Sequence, residues 1–256
     1  MSILKHINIS TLRGFSRWKP AAWLRVTGAD AAAFLQGQFS QDLRGLAAGE
    51  GRYGLWLTVK GKVLADSFVL RSVAQGEFWI VSYSVAAEVI RARLEAFIIA
   101  DDVSLDSPES AALAVTIVGD SPPSAPAGVS VLRSRRVGRG VDWLFSEREV
   151  AAVEAALGAW SELPPAAVEA DRVAAGRPAV PRDIGPDELP QEGGLEVDAV
   201  AFNKGCYLGQ EVVARLRTYQ KVQRFLVGLA LPPDAFVPAG EPILDEEGQA
   251  IGVVTS

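Results

Sequence analysis

Phe202-Asn203-Lys204-Gly205-Cys206-Tyr207-Leu208-Gly209-Gln210-Glu211-Val212-Val213-Ala214-Arg215 holds the only cysteine of a 256-residue chain. A lysine stands two positions before the thiol and a glutamate five positions after it. Glycines at Gly205 and Gly209 permit positive φ and close backbone approach, so the spacing predicts a tight bend that leaves Cys206 accessible. Gln210–Arg215 reads as the start of a helix, whose N-terminal amides would favour the thiolate. A lone cysteine is more often a small buried hydrophobe, but a core cysteine normally has apolar neighbours, and the polar, glycine-flanked setting here weighs against that reading. The setting therefore favours a reactive or ligand-forming thiol.

Downstream, Arg215, Arg217, Lys221 and Arg224 fall within ten residues that contain no acid. Such a cluster suits a small anion, carboxylate or phosphate, with a solvated charged strand as the alternative. Upstream, Pro164 to Gly194 holds six of the fifteen prolines and reads as a connector, with a short helix around Glu169–Val173. Farther back the pattern mixes strands and helices. Trp23–Thr27, Arg52–Val59, Val63–Arg71 and Phe78–Tyr83 read as strands, with a hairpin turn at Lys60-Gly61-Lys62. Ala31–Gln36 reads as a short helix, and Val85, Val89, Ile90, Leu94 and Phe97 keep helical spacing behind an expected N-cap at Ser84. A second β/α passage follows, with strands at Leu113–Val118, Val129–Leu132 and Val141–Phe145. A helix introduced by the capping box Ser146/Glu149 closes it. Strands are expected again at Phe225–Leu231, Pro242–Leu244 and Ala250–Thr255.

Composition narrows the chemistry. One cysteine rules out an intrachain disulfide, a CxxC redox pair and an all-cysteine metal cage made by this chain alone, and points to a reducing compartment. The single histidine, His6, makes a Ser-His-Asp or Cys-His constellation or a histidine-rich metal site a poor expectation. A formal net charge of −6 argues against a generally nucleic-acid-binding surface. No apolar run is long enough to span a bilayer, and the first ten residues lack a signal-peptide core. The basic stretch Lys5, Arg13, Arg17, Lys19 and Arg25 faintly resembles an organelle transit segment but reads better as a basic surface leading into the first strand.

Lys204-Gly-Cys-Tyr-Leu-Gly-Gln-Glu211 resembles the K-G-C-Y-x-G-Q-E signature of the folate-binding YgfZ family, relatives of the glycine-cleavage T-protein. Thr27-Gly-Ala-Asp30 with Phe34–Gln38, Gly61–Asp66, Arg172–Pro178, Leu189–Glu192, Val222–Arg224 and Gly252–Ser256 are similar to other parts of that family. The likeness covers most of the chain and is weakest over residues 105–160. It implies an α+β, GcvT/YgfZ-like fold of packed subdomains around a central channel. That channel holds tetrahydrofolate or a derivative. The implied division is a first part of the folate-binding domain at 1–104 and a second α+β subdomain at 105–163. A connector with the cysteine segment follows at 164–220, and the start of a C-terminal β-barrel at 221–256.

By the same resemblance, Cys206 is the functional thiol and possible transient cluster ligand, and Asp66 matches the acid that T-proteins use. Lys204, Gly205, Tyr207, Gly209, Gln210, Glu211, Arg215 and Arg224 become cofactor-binding candidates. The implied role is support of iron–sulfur cluster assembly or repair, and through it tRNA modification, more as an assembly factor than as an enzyme. The partners are folate and iron–sulfur assembly proteins or client enzymes, with no direct nucleic-acid or membrane contact. The location is cytoplasmic, or mitochondrial matrix in a eukaryote. One alternative is aminomethyltransferase-like one-carbon transfer at Asp66, and another is a non-catalytic folate-binding module.

The chain departs from the pattern in places. Ala174 stands where T-proteins have the glutamate that contacts the pterin, leaving Glu169 or Asp171 as substitutes. Gln220 precedes Lys221 where the family commonly has Gly, and the barrel is expected to be incomplete at Ser256. Trp18, Trp23, Trp56 and Tyr207 are the candidate rings for stacking on a pterin.

Overall fold

The computed structural model describes residues 12–108, 112–219, 222–232 and 235–256. His6, Gln220 and Lys221 lie outside that range. Two antiparallel sheets form the body. The first has strands β2 (Ala22–Thr27), β3 (Gly51–Leu57), β4 (Val63–Arg71), β5 (Phe78–Ser82) and β6 (Ser104–Asp106), in the order β3-β4-β5-β2-β6. The second joins β1 (Gly14–Trp18), β7 (Leu113–Val118), β8 (Ser130–Arg133) and β9 (Gly140–Phe145), in the order β1-β7-β9-β8. The expected division at residue 104 is crossed twice: β1 pairs with β7, and β6 pairs with β2 through Arg25 opposite Asp106.

Side-chain alternation gives each sheet an inner and an outer face. On the outer face of the first sheet, Trp56 packs on Phe39 at 4.7 Å between ring centres, beneath helix α1 (Ala31–Gln38). Helix α2 (Ala87–Glu95) buries Ile90 and Leu94 in the same core. The outer face of the second sheet buries Phe15, Val115, Ile117 and Trp143 against Val153 and Leu157 of helix α3 (Val150–Leu157). The inner faces meet each other, so β4 and β7 are buried on both sides.

Several local expectations hold. The hairpin at 60–62 closes with Gly61 N–H donating to Thr58 O at 2.9 Å. The capping box at Ser146/Glu149 is present ahead of α3. Helix α4 (Pro165–Ala174) lies in the Pro-rich connector, and helix α5 (Gln210–Tyr219) begins where the cysteine segment predicts. Two expectations fail. Ser84 does not cap α2: the N-cap is Ala86, because Ser82 Oγ accepts from Val85 N–H and draws Val85 into the core before the helix starts. Residues 225–231 are not a strand. Phe225, Val227, Leu229 and Leu231 are exposed, and among the described residues no strand pairs with them. β10 (Pro242–Leu244) and β11 (Ala250–Val253) form a two-stranded ribbon that does not close into a barrel. Among the described residues, no helix is long and apolar enough to cross a membrane.

The 60–62 hairpin also fixes the cysteine segment. Gly209 has φ +81°, and a Cβ there would stand 2.6 Å from Thr58 O and 3.1 Å from Gly61 Cα. Backbone cannot yield as a flexible side chain can, so both the left-handed conformation and the contact demand glycine. Gly45, with φ +72° and open space around it, demands only the conformation. Gly209→Ala is expected to cost about 2 kcal/mol or more. Gly45→Ala should cost about 1 kcal/mol. Urea unfolding of the two variants checks the order.

Candidate active site between the two sheets

The inner faces carry charge where a core would ordinarily be apolar. Asp66 on β4 lies opposite Leu55, and Tyr53 lies opposite Phe68, so the acid and the phenol share the inner face. Tyr53 donates its hydroxyl to Asp66 Oδ2 at 2.8 Å. Asp66 is only 3% exposed, and its Oδ1 has no partner at hydrogen-bond geometry. Burial pushes its carboxyl up from 3.8 to about 6, against the pull of the Tyr53 hydroxyl and the Arg135 charge. The Arg135 guanidinium lies 4.5 Å from the Tyr53 ring centre and pairs with Asp198, while its buried Nε has no partner.

A second acid–phenol pair faces the first across the seam. Asp142 on β9 stands opposite Thr116 on β7 and accepts from Thr116 Oγ1 at 2.6 Å and from the Tyr83 hydroxyl. Burial raises this carboxyl too, although Thr116, Tyr83 and the Arg136 charge oppose the shift. Burial beside these acids holds both Tyr53 and Tyr83 well above the usual phenol range, so both hydroxyls remain protonated donors. Arg135 N–H donates to the Tyr83 oxygen at 3.0 Å and so ties the two pairs together. Trp18 completes the wall, 4.9 Å from Tyr83 with Arg136 over its ring, and its buried Nε1 has no acceptor.

This seam contains one predicted site residue, Asp66, and one predicted ring, Trp18. The other rings sit elsewhere: Trp23 stacks on Trp79 at 4.4 Å, Trp56 packs under α1, and Tyr207 lies in the core beside Lys204. Tyr53, Tyr83, Thr116, Arg135, Arg136 and Asp142 were not singled out from the sequence. A signal was present: Thr116 and Asp142 are polar residues inside apolar strands, L-A-V-T-I-V and G-V-D-W-L-F. Polar groups so placed must find partners or perform chemistry.

The cysteine segment forms a separate site. Cys206 is exposed, and of its flanking glycines Gly209 has positive φ whereas Gly205 does not. Lys204 turns inward and donates to Gln36 O, Phe39 O and Gln41 O at 2.7, 2.5 and 3.0 Å. Those bonds occupy its three donors at the C-terminal end of α1, where a cation is favoured. Burial lowers its pKa to about 8. Leu208 N–H donates to Gly37 O at 3.1 Å, and Gln210 Oε1 accepts from Tyr207 N–H at 3.1 Å. Lys204, Tyr207, Gly209 and Gln210 thus hold the loop in shape. Burial raises the Tyr207 phenol to about 12.

Three members of the predicted basic cluster already face groups of this chain, and the fourth, Lys221, lies outside the described residues. Arg215 pairs with Glu211 on its own helix, both exposed, and Arg224 lies 3.4 Å from Glu192 and 3.7 Å from Glu188. Arg217 covers the Phe202 ring. Neither substitute for the missing stem glutamate is free. Glu169 is committed to Arg172 and Arg182, and Asp171 accepts from Gly138 N–H at 2.7 Å. Among the described residues no group of three or more His, Cys, Asp or Glu is placed to hold a metal ion.

Residues 19–133 match the GCVT N-terminal domain, the segment that contributes Tyr53, Asp66 and Tyr83. The fold is α+β of the GcvT type. It is similar to aminomethyltransferase T of the glycine cleavage system from Bartonella henselae, with TM-score 0.73 and 22% identity, over 96% of this chain and 74% of that one. A stretch of 87 residues, 33% of this chain, is 37% identical to a chloroplastic protein of Arabidopsis thaliana provisionally named a transferase. The match spans 19% of that relative's length.

Asp66 allows a sharp test. In the unfolded chain it gives up its proton near 3.8, but in the fold only near 6. Between these values the folded state holds a proton that the unfolded state has lost, so stability falls as pH rises through this window and stays lower above it. Asp66→Asn keeps an acceptor for Tyr53 and abolishes the buried charge. It should be near neutral at pH 4 and stabilising at pH 8, a difference of roughly 3 kcal/mol, read from denaturation curves at the two pH values.

Proposed function

We propose that the chain is a tetrahydrofolate-binding protein whose exposed thiol, Cys206, serves iron–sulfur cluster assembly or repair. The observation that carries the folate half is Asp66: a buried carboxyl held near 6 with one oxygen unpartnered, at the seam between the two sheets of a GcvT-type fold. Asp66 Oδ1, Arg135 Nε and Trp18 Nε1 are one acceptor and two donors without partners. Buried polar atoms seldom stay so unless something else meets them. Reduced folate offers ring N–H groups, a carbonyl and a flat ring for the walls formed by Tyr53, Tyr83 and Trp18, so the residues fit such a group.

When bound, tetrahydrofolate would supply nitrogen atoms that carry a one-carbon unit. Asp66 Oδ1 is the acceptor that would orient the ring edge, and it can hold or release a proton near neutral pH. Tyr53 keeps Asp66 Oδ2 engaged, fixing which oxygen faces the ligand. Burial between the two sheets excludes water and strengthens each contact.

The thiol half rests on Lys204-Gly-Cys-Tyr-Leu-Gly-Gln-Glu211 and on the exposure of Cys206. One thiolate cannot complete a cluster's ligand set, so a partner protein or a small thiol must supply the rest. We place this work in the cytoplasm, or in the mitochondrial matrix of a eukaryote, with tRNA-modifying enzymes among the clients. The domain limits inferred from the sequence remain our proposal for the chain's organisation.

The raised pKa of Asp66 favours a second reading, one-carbon transfer of the aminomethyltransferase kind with Asp66 as acid and base. Ala174 weighs against it, since a pterin-contacting carboxylate is missing there and Glu169 and Asp171 are engaged elsewhere.

Tryptophan fluorescence titrated with tetrahydrofolate should show saturable binding that weakens at least tenfold in Asp66→Asn, and a flat response would end the folate reading. In cells, Cys206→Ala should lower the activity of cluster-dependent enzymes while the purified variant still binds folate. Unchanged enzyme activities would remove the assembly role. Turnover of an aminomethyl donor by the wild-type protein, abolished in Asp66→Asn, would instead establish the second reading.

A further inference from the structure

An open cavity of about 620 Å³ adjoins the seam, lined by Arg135, Arg139, Arg177 and Asp198 and by the backbone at Gly176 and Gly194. Its size is within the range of ligand sites. Its charge is unusual. Arg139 is paired with Asp120 at 2.7 Å, and Arg135 with Asp198. Arg177 has no carboxylate within ion-pair distance among the described residues, and its Nη2 donates to Gly138 O at 3.0 Å. Burial, with the neighbouring charges of Arg135 and Arg133, depresses its pKa and outweighs the more distant pull of Asp198. Arg135, with a side chain 10% exposed, adds a second unmet demand, because its buried Nε has no partner. Gly176 and Gly194 adopt left-handed conformations with open space where a Cβ would stand, so the rim admits a ligand close to the main chain.

We propose that this cavity is an anion subsite in which Arg177 and Arg135 receive a carboxylate or phosphate group. Arginines 215 and 224 cannot fill that role as built, since they are solvent-exposed and already face acids of their own chain. Arg135 belongs to both places: its guanidinium covers Tyr53, whose hydroxyl holds Asp66. A ligand whose ring meets Asp66 therefore finds the subsite next to it. Resting on the folate reading, the anion is the glutamate carboxylate of the folate tail. The same arginines would equally accept the phosphate of an unrelated ligand.

Both sources can be tested on the whole protein. Dissociation constants for the primary amide of tetrahydropteroate, which lacks the glutamate and carries no carboxylate, and for tetrahydrofolate should differ by roughly 10- to 100-fold, the worth of one or two charge-assisted bonds. In Arg177→Gln that difference should largely vanish while the amide binds as before. Equal affinities in the wild type, or a difference that survives in Arg177→Gln, would overturn the tail assignment. If tetrahydrofolate does not bind at all, the folate reading fails. The subsite is then decided by titrating glutarate and inorganic phosphate and following the arginine side-chain NMR signals. A saturable shift of the Arg177 signal, absent in Arg177→Gln, would uphold an anion subsite without folate, and no shift with either probe would refute it.

Discussion

Two carboxylates buried between two sheets are the constraint around which this molecule is arranged. Moving an unpaired carboxylate out of water is far costlier than any single apolar contact can offset. The inner faces must therefore carry donors where other α+β bodies carry leucines. Tyr53 stands on the strand beside Asp66, Tyr83 reaches Asp142 from the other sheet, Thr116 lies across the ladder from Asp142, and Arg135 and Arg136 come from the turn after β8. Even so, the donors are too few: burial still outweighs them and both acids remain raised. A protein built for stability alone would place two well-packed apolar residues there. Asp66 instead keeps one oxygen unpartnered in the seam, and the proposed folate site rests on that oxygen.

Much of this body was legible in the sequence because local signals were strong. The period-two strands from Trp23 to Tyr83, the Gly61 turn and the Ser146/Glu149 capping box act over a few residues and appear where expected. The failures occurred where a tertiary contact decided. Ser84 had the right side chain for a cap, but Ser82 took the neighbouring amide first. Residues 225–231 had strand composition, but a strand is defined by its neighbour and no neighbour reaches them among the described residues. For the site, Asp66 and Cys206 could be picked out because each sits in a recognisable run. Arg135 could not, and Asp142 offered only its polarity inside an apolar strand, since the role of each comes from pairing across two sheets whose strands are far apart in sequence.

The basic residues show why charge counting misleads. Arg215, Arg217 and Arg224 formed the conspicuous cluster, yet each is met by an acid or a ring of the same chain. Arg177 attracted no notice beside a proline and a glycine, yet burial and the neighbouring Arg135 and Arg133 outweigh the pull of Asp198 on it. What matters for recognition is the charge left uncompensated after folding, and only the folded arrangement shows it.

The thiol and the acid stand at different places but are not mechanically independent. Lys204 anchors the cysteine loop to the carbonyls of residues 36, 39 and 41. Inside that same turn, Ser40 Oγ accepts from Leu55 N–H at 2.7 Å and donates to Ala199 O at 2.6 Å. Leu55 is the cross-strand neighbour of Asp66, so one serine joins the strand that positions the acid to the segment that leads into the thiol. Lifting the Cys206 loop would strip three carbonyls of their donor and pull on the turn that holds β3. Such a loop is a poor candidate for free motion, and it holds the thiol at a fixed distance from Asp66. Residues carried on rigid, mutually bonded elements keep their geometry more closely than residues on free loops.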